Sequence, residues 1–149
     1  MDFTSLPKTE LHQHVDGSIP VEITWELMQA HGLSPVDTLE EMRSLLVLQD
    51  GEEGTLLDYL DKFHYPLWVT QFYENISEVT FAIAREAWDN GVRALELRYS
   101  PTIHTYAGLT LRQSITSVLS GLNRAERELE NFRAGLIVIE RAGIEIGFP

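Results

Sequence analysis

The stretch LPKTELHQHVDGS, residues 6–18, decides the fold of this chain. It reads as a β-strand in which two histidines, His12 and His14, are separated by one residue. Because side chains alternate between the two faces of a strand, Leu11 and Val15 are predicted to point to one face. The other face is predicted to carry the residues of even number, which are Glu10, His12, His14 and Asp16.

Two imidazoles one pleat repeat apart can share a metal ion. Their β-carbons lie roughly 6.5 to 7 Å apart on an ideal strand, so both rings can converge on one ion at about 2.0 to 2.1 Å per bond. The chain contains no cysteine, so a metal site must use imidazole and carboxylate ligands. The pattern therefore indicates half of a metal site. The alternative interpretation is an ordinary pair of polar residues at a strand end.

Two later segments accompany this strand, DYLDKF at residues 58–63 and LELRYSP at residues 95–101. Together and in this order, the segments resemble the adenosine deaminase family, the metal-dependent purine deaminases within the amidohydrolase group of barrels. The resemblance extends from about Leu6 to Ile139. It implies an α/β fold, a partial TIM-type (β/α) barrel that contains about the first three β/α units.

Length limits how much of such a barrel the chain can form. A complete eight-stranded barrel typically needs about 250 residues, and this chain has 149. We therefore expect residues 1–149 to be the amino-terminal portion of one barrel domain, truncated after its third strand. Residues 140–149 are interpreted as the result of a truncation, a frameshift or a split gene, with a naturally short chain as the alternative. Gly143 and Gly147 could instead permit a short fourth strand at residues 144–146.

The resemblance implies a role for each matching site residue. His12 and His14 would be two of the metal ligands, with zinc as the expected ion, at the carboxyl end of the first strand. Asp16 would accept a hydrogen bond from the sugar of a nucleoside, and Gly17 would belong to the same substrate-binding surface. An apolar helix face would cover the purine, although such a stripe also suits an ordinary core; its residues are Leu56, Tyr59, Leu60 and Phe63.

The implied function is the hydrolytic deamination of a purine nucleoside, adenosine to inosine and ammonia, by a metal-activated water in complete family members. We expect the 149-residue chain alone to be inactive, because the third metal histidine, the catalytic glutamate, the water-activating histidine and the paired aspartates are not found in it. One alternative is another hydrolase, such as a phosphoesterase, that begins with paired histidines. Another is a non-catalytic half-barrel that associates with itself or with a complementing carboxyl-terminal chain through open sheet edges.

Composition argues against several other classes of function. With 11 Lys and Arg against 23 Asp and Glu, the net charge of −12 would repel a nucleic acid backbone. The lack of cysteine excludes disulfides and the His/Cys/Cys zinc site of the cytidine-type deaminases. The start MDFTS has no basic and apolar leader, and no apolar run approaches about 18 residues, so we expect a cytoplasmic protein without a membrane segment.

Capping and periodicity signals divide the rest of the chain into elements. The predicted helices run from Ser18 and Pro20 to Gly32, from the Thr38/Glu41 capping box to Leu48, from Thr55 to a bend or end at Pro66, from Val69 to Asn90 before Gly91, and from the Thr110/Gln113 box to Asn131. Residues 49–54 are predicted to be a turn-rich break. Two further strands are predicted at Val92–Ser100 and Ala134–Ile139, the latter buried on both faces of a parallel sheet.

The second predicted strand separates apolar from polar residues. Its apolar residues are predicted to face covering helices, and they are Leu95, Leu97 and Tyr99. On the opposite, interior face we expect Arg98 to bridge Glu96 and Glu10; the alternative is an exposed strand face with solvated charges. The remaining histidines match no motif and are interpreted as surface or satisfied residues: His31, His64 and His104.

Overall fold

The chain is an α/β protein with a parallel sheet, seen in a computed structural model that describes residues 3, 6–48, 55 and 61–139. The strands are β1 (Lys8–His14), β2 (Val92–Tyr99) and β3 (Arg133–Val138). The helices are α1 (Val21–His31), α2 (Leu39–Leu46), α3 (His64–Val69), α4 (Tyr73–Asp89) and α5 (Leu111–Glu128), and a 3₁₀ turn occupies Pro101–His104. Within the described residues β2 lies between β1 and β3 and pairs with both in parallel, which confirms the predicted order of elements.

Two capping boxes begin helices where the sequence predicts them. At the start of α2, the Thr38 hydroxyl accepts from the Glu41 backbone N–H at 3.3 Å, and the Glu41 carboxylate accepts from the Thr38 backbone N–H at 3.1 Å. The Thr38 hydroxyl also donates to the Glu41 carboxylate at 2.9 Å, and this bond together with the one from the Thr38 backbone N–H lowers the pKa of the Glu41 carboxyl, because both favour its charged form. Thr110 and Gln113 make the same reciprocal pair at the start of α5. Both helices therefore begin where local hydrogen bonding dictates.

Glycine follows the ends of α1 and α4, as predicted. Gly32 has φ of 66° and Gly91 has φ of 88°, in the left-handed region where a residue without a Cβ is favoured. The residue that precedes α1 is Pro20, and no side chain of the described residues caps this helix, so the predicted start at Ser18 is wrong. None of the helices in the described segments is long and apolar enough to cross a lipid bilayer.

The region before α4 differs from its prediction. Pro66 neither bends nor ends a helix; it lies in the first turn of α3, where a backbone N–H has no intrahelical acceptor to lose. The long helix begins at Tyr73 rather than at Val69, because a turn separates α3 from α4. The predicted break at 49–54 and most of the helix predicted to follow it, at 56–60, lie outside the described residues.

β2 carries the centre of the core, as predicted. Leu95, Leu97 and Tyr99 are 3%, 0% and 1% exposed, because α4 and α5 cover this face of the sheet. The Tyr99 hydroxyl pairs with Ser114 Oγ at 2.6 Å, and burial raises the pKa of Tyr99 well above its ordinary value. Residues of the two covering helices complete the cluster: Ile76, Val79, Ile83, Val118 and Leu122.

The predicted ion-pair network on the interior face of β2 is wrong. Among the described residues Arg98 pairs with neither Glu96 nor Glu10, and its Nε is buried without an acceptor. The register explains the difference, because Glu10 lies level with Leu95 in the sheet rather than beside the polar residues of β2. The Glu10 carboxylate instead accepts a hydrogen bond from the His12 backbone N–H at 3.2 Å.

β3 is less covered than the sequence predicts. Ala134 and Leu136 pack partly buried against the core, whereas Val138 is 49% exposed. The expected burial on both faces is therefore wrong for the part of the chain that the structure describes. The reason is that no further strand lies beside β3 there, so the apolar run ends at an open edge.

Helices α4 and α5 approach one another through Gly121. A Cβ at this position would stand 2.5 Å from the Ser77 carbonyl oxygen and 2.7 Å from the Thr80 Cβ. Real Cβ atoms do not come this close to backbone atoms, so a larger residue would push the helices apart. The α4–α5 pair thus forms a tightly packed cover over β2.

Candidate metal centre

β1 brings the two predicted ligands together. The imidazole rings of His12 and His14 have their centroids 5.4 Å apart and their planes inclined at 33°. Two imidazoles bound tetrahedrally to zinc at 2.0–2.1 Å per bond would place their centroids about 5 Å apart. The spacing of the two rings therefore fits a shared metal ion.

A bulge in β1 interrupts the simple alternation of faces. Glu10 is level with Leu95 and Gln13 is level with Leu97, so β1 uses one residue more than β2 over this stretch. Val15 is fully buried in the main core, whereas Leu11 is 60% exposed and does not share its environment. The predicted face therefore holds for the His12 and His14 pair but not along the whole strand.

Asp16 lies beside the second imidazole. Its Oδ1 is 3.9 Å from Nδ1 of His14, and the two side chains are 22% and 44% exposed. This distance is too long for a hydrogen bond and is an electrostatic contact that exists when the imidazole is protonated. A carboxylate near one ring nitrogen leaves the other, Nε2, as the nitrogen for a metal ion, and such neighbours orient ligating histidines.

The candidate residues line one open groove. His12, His14, Asp16, Gly17 and Phe63 all border a cavity of about 650 Å³. The Phe63 ring lies 3.6 Å from the position that a Cβ on Gly17 would take, so the ring packs directly over this glycine. The other three residues of the predicted apolar stripe, Leu56, Tyr59 and Leu60, lie outside the described residues.

A second, more apolar groove adjoins the first. Its volume is about 340 Å³, and it shares Asp16, Gly17 and Phe63 with the first groove. Side chains from α1, α2 and the start of α3 supply its apolar walls: Val21, Leu46 and Pro66, with Ile19, Val47 and Leu48 from the adjoining loops. Asp16 thus stands where a polar and an apolar cavity meet, which suits the recognition of a molecule with both characters.

The donor set is incomplete in the part of the chain that the structure describes. No group of three His, Asp or Glu residues there is arranged to hold a metal ion. Catalytic zinc normally takes three protein ligands, of which this arrangement supplies two imidazoles. The residues present fit zinc in type and spacing, and a further ligand has to come from elsewhere.

A comparison with models of protein families shows which family the chain belongs to. A model of the adenosine deaminase family matches residues 7–143. The chain belongs to the adenosine deaminase family. An adenosine deaminase of Clostridium perfringens is 36% identical over 140 residues, which is 93% of this chain and 41% of that protein. An adenosine deaminase of Lactococcus lactis is 33% identical over 89% of this chain and 37% of its own length.

Solved structures place this adenosine deaminase family member in a known fold. An adenine deaminase of Arthrobacter aurescens aligns with a TM-score of 0.74 and 26% identity, over 91% of this chain and 39% of that protein. An amidohydrolase of Burkholderia ambifaria, solved with bound zinc, has a TM-score of 0.74 at 20% identity over 36% of its length, which shows the fold alone. The predicted partial (β/α) barrel is thereby confirmed. The chain spans about two fifths of the length of the relatives it matches.

A buried histidine outside the groove has a larger structural role than the sequence indicates. His104 is fully buried and stacks on Tyr99 with ring centroids 4.7 Å apart. Its Nδ1 donates to the Thr70 carbonyl at 3.1 Å, while Nε2 is buried and has no partner among the residues that the structure describes. Within those residues the histidine is thus hydrogen-bonded through one nitrogen, and it links α3 to the end of β2. His31 pairs with Asn75 at 2.9 Å, in agreement with its interpretation as a satisfied residue.

Acid should destabilise the fold through His104. Burial lowers the pKa of His104 from 6.5 to about 4. Between pH 6.5 and about 4, His104 binds a proton in the unfolded chain but not in the folded chain. The contribution of neutral His104 to the free energy of unfolding is therefore fully present above pH 6.5 and is lost as the pH drops towards 4. The expected loss is roughly 3 kcal/mol over the window. Urea unfolding between pH 7.5 and 4.5 measures it.

The matched comparison for this prediction uses two variants. His104→Asn removes the titrating group and should flatten the pH dependence between pH 6.5 and 5, above the range where most carboxyl groups titrate. His64→Gln, at a partly exposed histidine beside Asp61, is the matched histidine substitution against which the slope of His104→Asn is compared. An equal slope in wild type and His104→Asn would assign the acid sensitivity to other groups.

Proposed function

We propose that this chain provides the metal-binding portion of a purine nucleoside deaminase, which converts adenosine to inosine and ammonia by hydrolysis. The observation that carries the proposal is the convergence of the His12 and His14 rings beside Asp16, in a chain of the adenosine deaminase family. The paired imidazoles alone would suit several hydrolases. Because the chain belongs to the adenosine deaminase family, deamination is favoured over the other hydrolytic reactions.

His12 and His14 would hold the metal ion, and zinc is the ion that suits them. Imidazole donors favour zinc and other transition metals, whereas magnesium and calcium favour oxygen ligands. When bound, zinc supplies Lewis acidity that makes a water molecule nucleophilic near neutral pH. The Asp16 carboxylate would lie on the Nδ1 side of the His14 ring and leave Nε2 for the metal ion.

Asp16 and the apolar wall beside it would position the nucleoside. We propose that the Asp16 carboxylate accepts a hydrogen bond from a sugar hydroxyl, since it lies where the two grooves meet. Gly17 lets the Phe63 ring approach closely, and this ring would pack against the purine. Leu56, Tyr59 and Leu60 would extend the same apolar cover. A proton donor for the purine ring and a further metal ligand would come from the remainder of a complete barrel.

A chimera tests this function directly. The chain would be fused to the part of the Clostridium perfringens adenosine deaminase that lies beyond the matched region, which restores a full-length family member. We expect the chimera to bind zinc and convert adenosine to inosine. His12→Ala should lower kcat/KM on the order of 10³-fold or more, with loss of zinc, because the metal site is dismantled. His64→Ala, outside the groove, is the control.

Deamination that survives His12→Ala unchanged would refute the metal-binding role. Zinc content, measured on the same preparations, shows whether lost activity follows lost metal. The alternative of a self-associating half-barrel is not favoured, because each copy carries a net charge of −12 and two copies would repel one another.

A further inference from the structure

The turn between α3 and α4 is fixed by buried polar side chains. Thr70 and Gln71 form this turn and are 0% and 8% exposed. The Gln71 amide nitrogen donates to the Leu67 carbonyl and to the Ile103 carbonyl, both at 2.9 Å. Its Oε1 accepts from the Tyr106 backbone N–H at 2.9 Å. One amide therefore joins the last turn of α3 to the segment that follows β2.

His104 adds a second connection between the same two segments. Besides donating to the Thr70 carbonyl, its Nδ1 lies 2.9 Å from Thr70 Oγ1. The Thr70 hydroxyl itself donates to the Pro66 carbonyl at 3.1 Å, so Oγ1 acts as the acceptor towards His104. A continuous series of hydrogen bonds thus leads from the 3₁₀ turn into α3. We call this set the Thr70–Gln71–His104 junction.

α3 carries part of the apolar wall of the smaller groove. Phe63 directly precedes this helix and Pro66 lies in its first turn, and both line the groove of about 340 Å³. The helix has six residues and is only about 9 Å long. Because so short a helix moves as one body, a shift at its last turn also moves Phe63.

The other side of the junction is continuous with the strand beside the metal ligands. The 3₁₀ turn follows β2 directly, and on β2 Arg98 lies level with His14 of β1. The Arg98 carbonyl also accepts from the Val15 backbone N–H at 3.0 Å. Hydrogen bonds are directional, so they hold two segments in one orientation more strictly than apolar contacts do. The junction therefore fixes the separation between the apolar wall and the metal centre.

We propose that the Thr70–Gln71–His104 junction positions the purine. It holds α3 so that Phe63 and Pro66 keep their distance from the metal centre. The proposal rests on the proposed function, because it takes a purine as the occupant of the groove. The wall contacts the purine equally before and during the reaction, so the junction should determine KM and leave kcat unchanged.

Gln71→Met keeps the length of the side chain and removes its hydrogen bonds. In the chimera we expect the KM for adenosine to rise about tenfold and kcat to stay within about twofold. A purely structural role would reduce the amount of folded enzyme and hence the apparent kcat, at an unchanged KM, and this result would overturn the proposal. Gln113→Met removes the amide of the α5 capping box and is the matched control, with KM expected to be unchanged.

Thr70→Val is a milder variant that removes only the hydroxyl of the junction. It should raise the KM for adenosine about threefold, and Thr70→Ser, which keeps the hydroxyl, should retain the wild-type KM. Thr80→Val removes an equally buried hydroxyl, which donates to the Ile76 carbonyl within α4, and should leave KM unchanged. Equal KM values in Thr70→Val and Thr80→Val would refute the role of the junction.

Hydrogen exchange of the 149-residue chain tests the hold on α3 without metal or substrate. The Leu67 N–H donates to the Phe63 carbonyl at 3.2 Å, and the Thr70 N–H donates to the Pro66 carbonyl at 3.1 Å. Both amides should exchange about tenfold faster in Gln71→Met, whereas the amides of α5 should not change. Unchanged exchange at these two amides would overturn the proposal.

A direct binding measurement separates this proposal from the proposed function. If the chimera does not deaminate adenosine, calorimetry with 9-methyladenine replaces KM as the readout. An affinity about tenfold lower in Gln71→Met would support the junction and leave the failure with the proposed reaction. An equal affinity in wild type and Gln71→Met would overturn the junction, whether or not the chimera is active.

Discussion

A purified polypeptide of these 149 residues is expected to convert adenosine to inosine no faster than buffer does. The described residues bring two imidazoles to the site and no third ligand, so zinc should bind weakly. The catalytic glutamate that the family resemblance implies is also not found in these 149 residues, and general acid catalysis typically contributes about 10² to 10⁴ in rate. The missing metal ligand and the missing general acid both slow the hydrolysis step, so together they should abolish measurable turnover.

Ammonia release and the absorbance change of adenosine measure this outcome with and without added zinc. The His12→Ala variant of the same polypeptide is the control for contaminating host enzyme, since host activity would be equal in both preparations. Turnover by the wild-type polypeptide that disappears in the variant would contradict the prediction and show that two histidines suffice.

Replacing Asp16 in the active chimera should separate sugar recognition from base recognition. A hydrogen bond to a charged group contributes about 1.5–3 kcal/mol, so Asp16→Ala should lower kcat/KM for adenosine by roughly 10- to 150-fold. The inhibition constant of 9-methyladenine, which has no sugar hydroxyls, should change little. Steady-state kinetics with adenosine and competition by 9-methyladenine measure the two effects.

Asp16 also lies near His14, so the experiment needs a control for metal binding. If Asp16 served only to orient that imidazole, zinc affinity, adenosine turnover and 9-methyladenine inhibition would fall together. Glu26→Ala removes an exposed carboxylate from α1 and should leave all of these quantities unchanged. A parallel loss with adenosine and 9-methyladenine would refute the sugar contact.

The features that could be predicted from the sequence are those set by neighbouring residues. Thr38 with Glu41 specifies the start of α2 because both hydrogen bonds form within one turn. The buried face of β2 follows from strict alternation, since Leu95 and Leu97 can only point to the same side. The proximity of the two β1 imidazoles follows from the same rule over a single pleat.

The features that were missed depend on contacts between distant segments. The β1 bulge places Glu10 level with Leu95. The neighbouring residues contain no pattern that predicts this shift, so the predicted bridge between Glu10 and Arg98 is wrong. The burial of His104 depends on the 3₁₀ turn after β2, which places the ring against Thr70 at the end of α3. The exposure of β3 depends on which strand lies beside it, and that information is not contained in its own residues.

The contact at Gly121 has a consequence for recombining members of this family. Because the α5 backbone at Gly121 meets the Ser77 carbonyl with no room for a side chain, the spacing of the helices at 73–89 and 111–128 depends on residues of both helices. A crossover between two parental genes inside that span would join halves with unmatched spacing. Libraries that exchange segments should therefore inherit residues 73–128 from a single parent and place their junctions outside them.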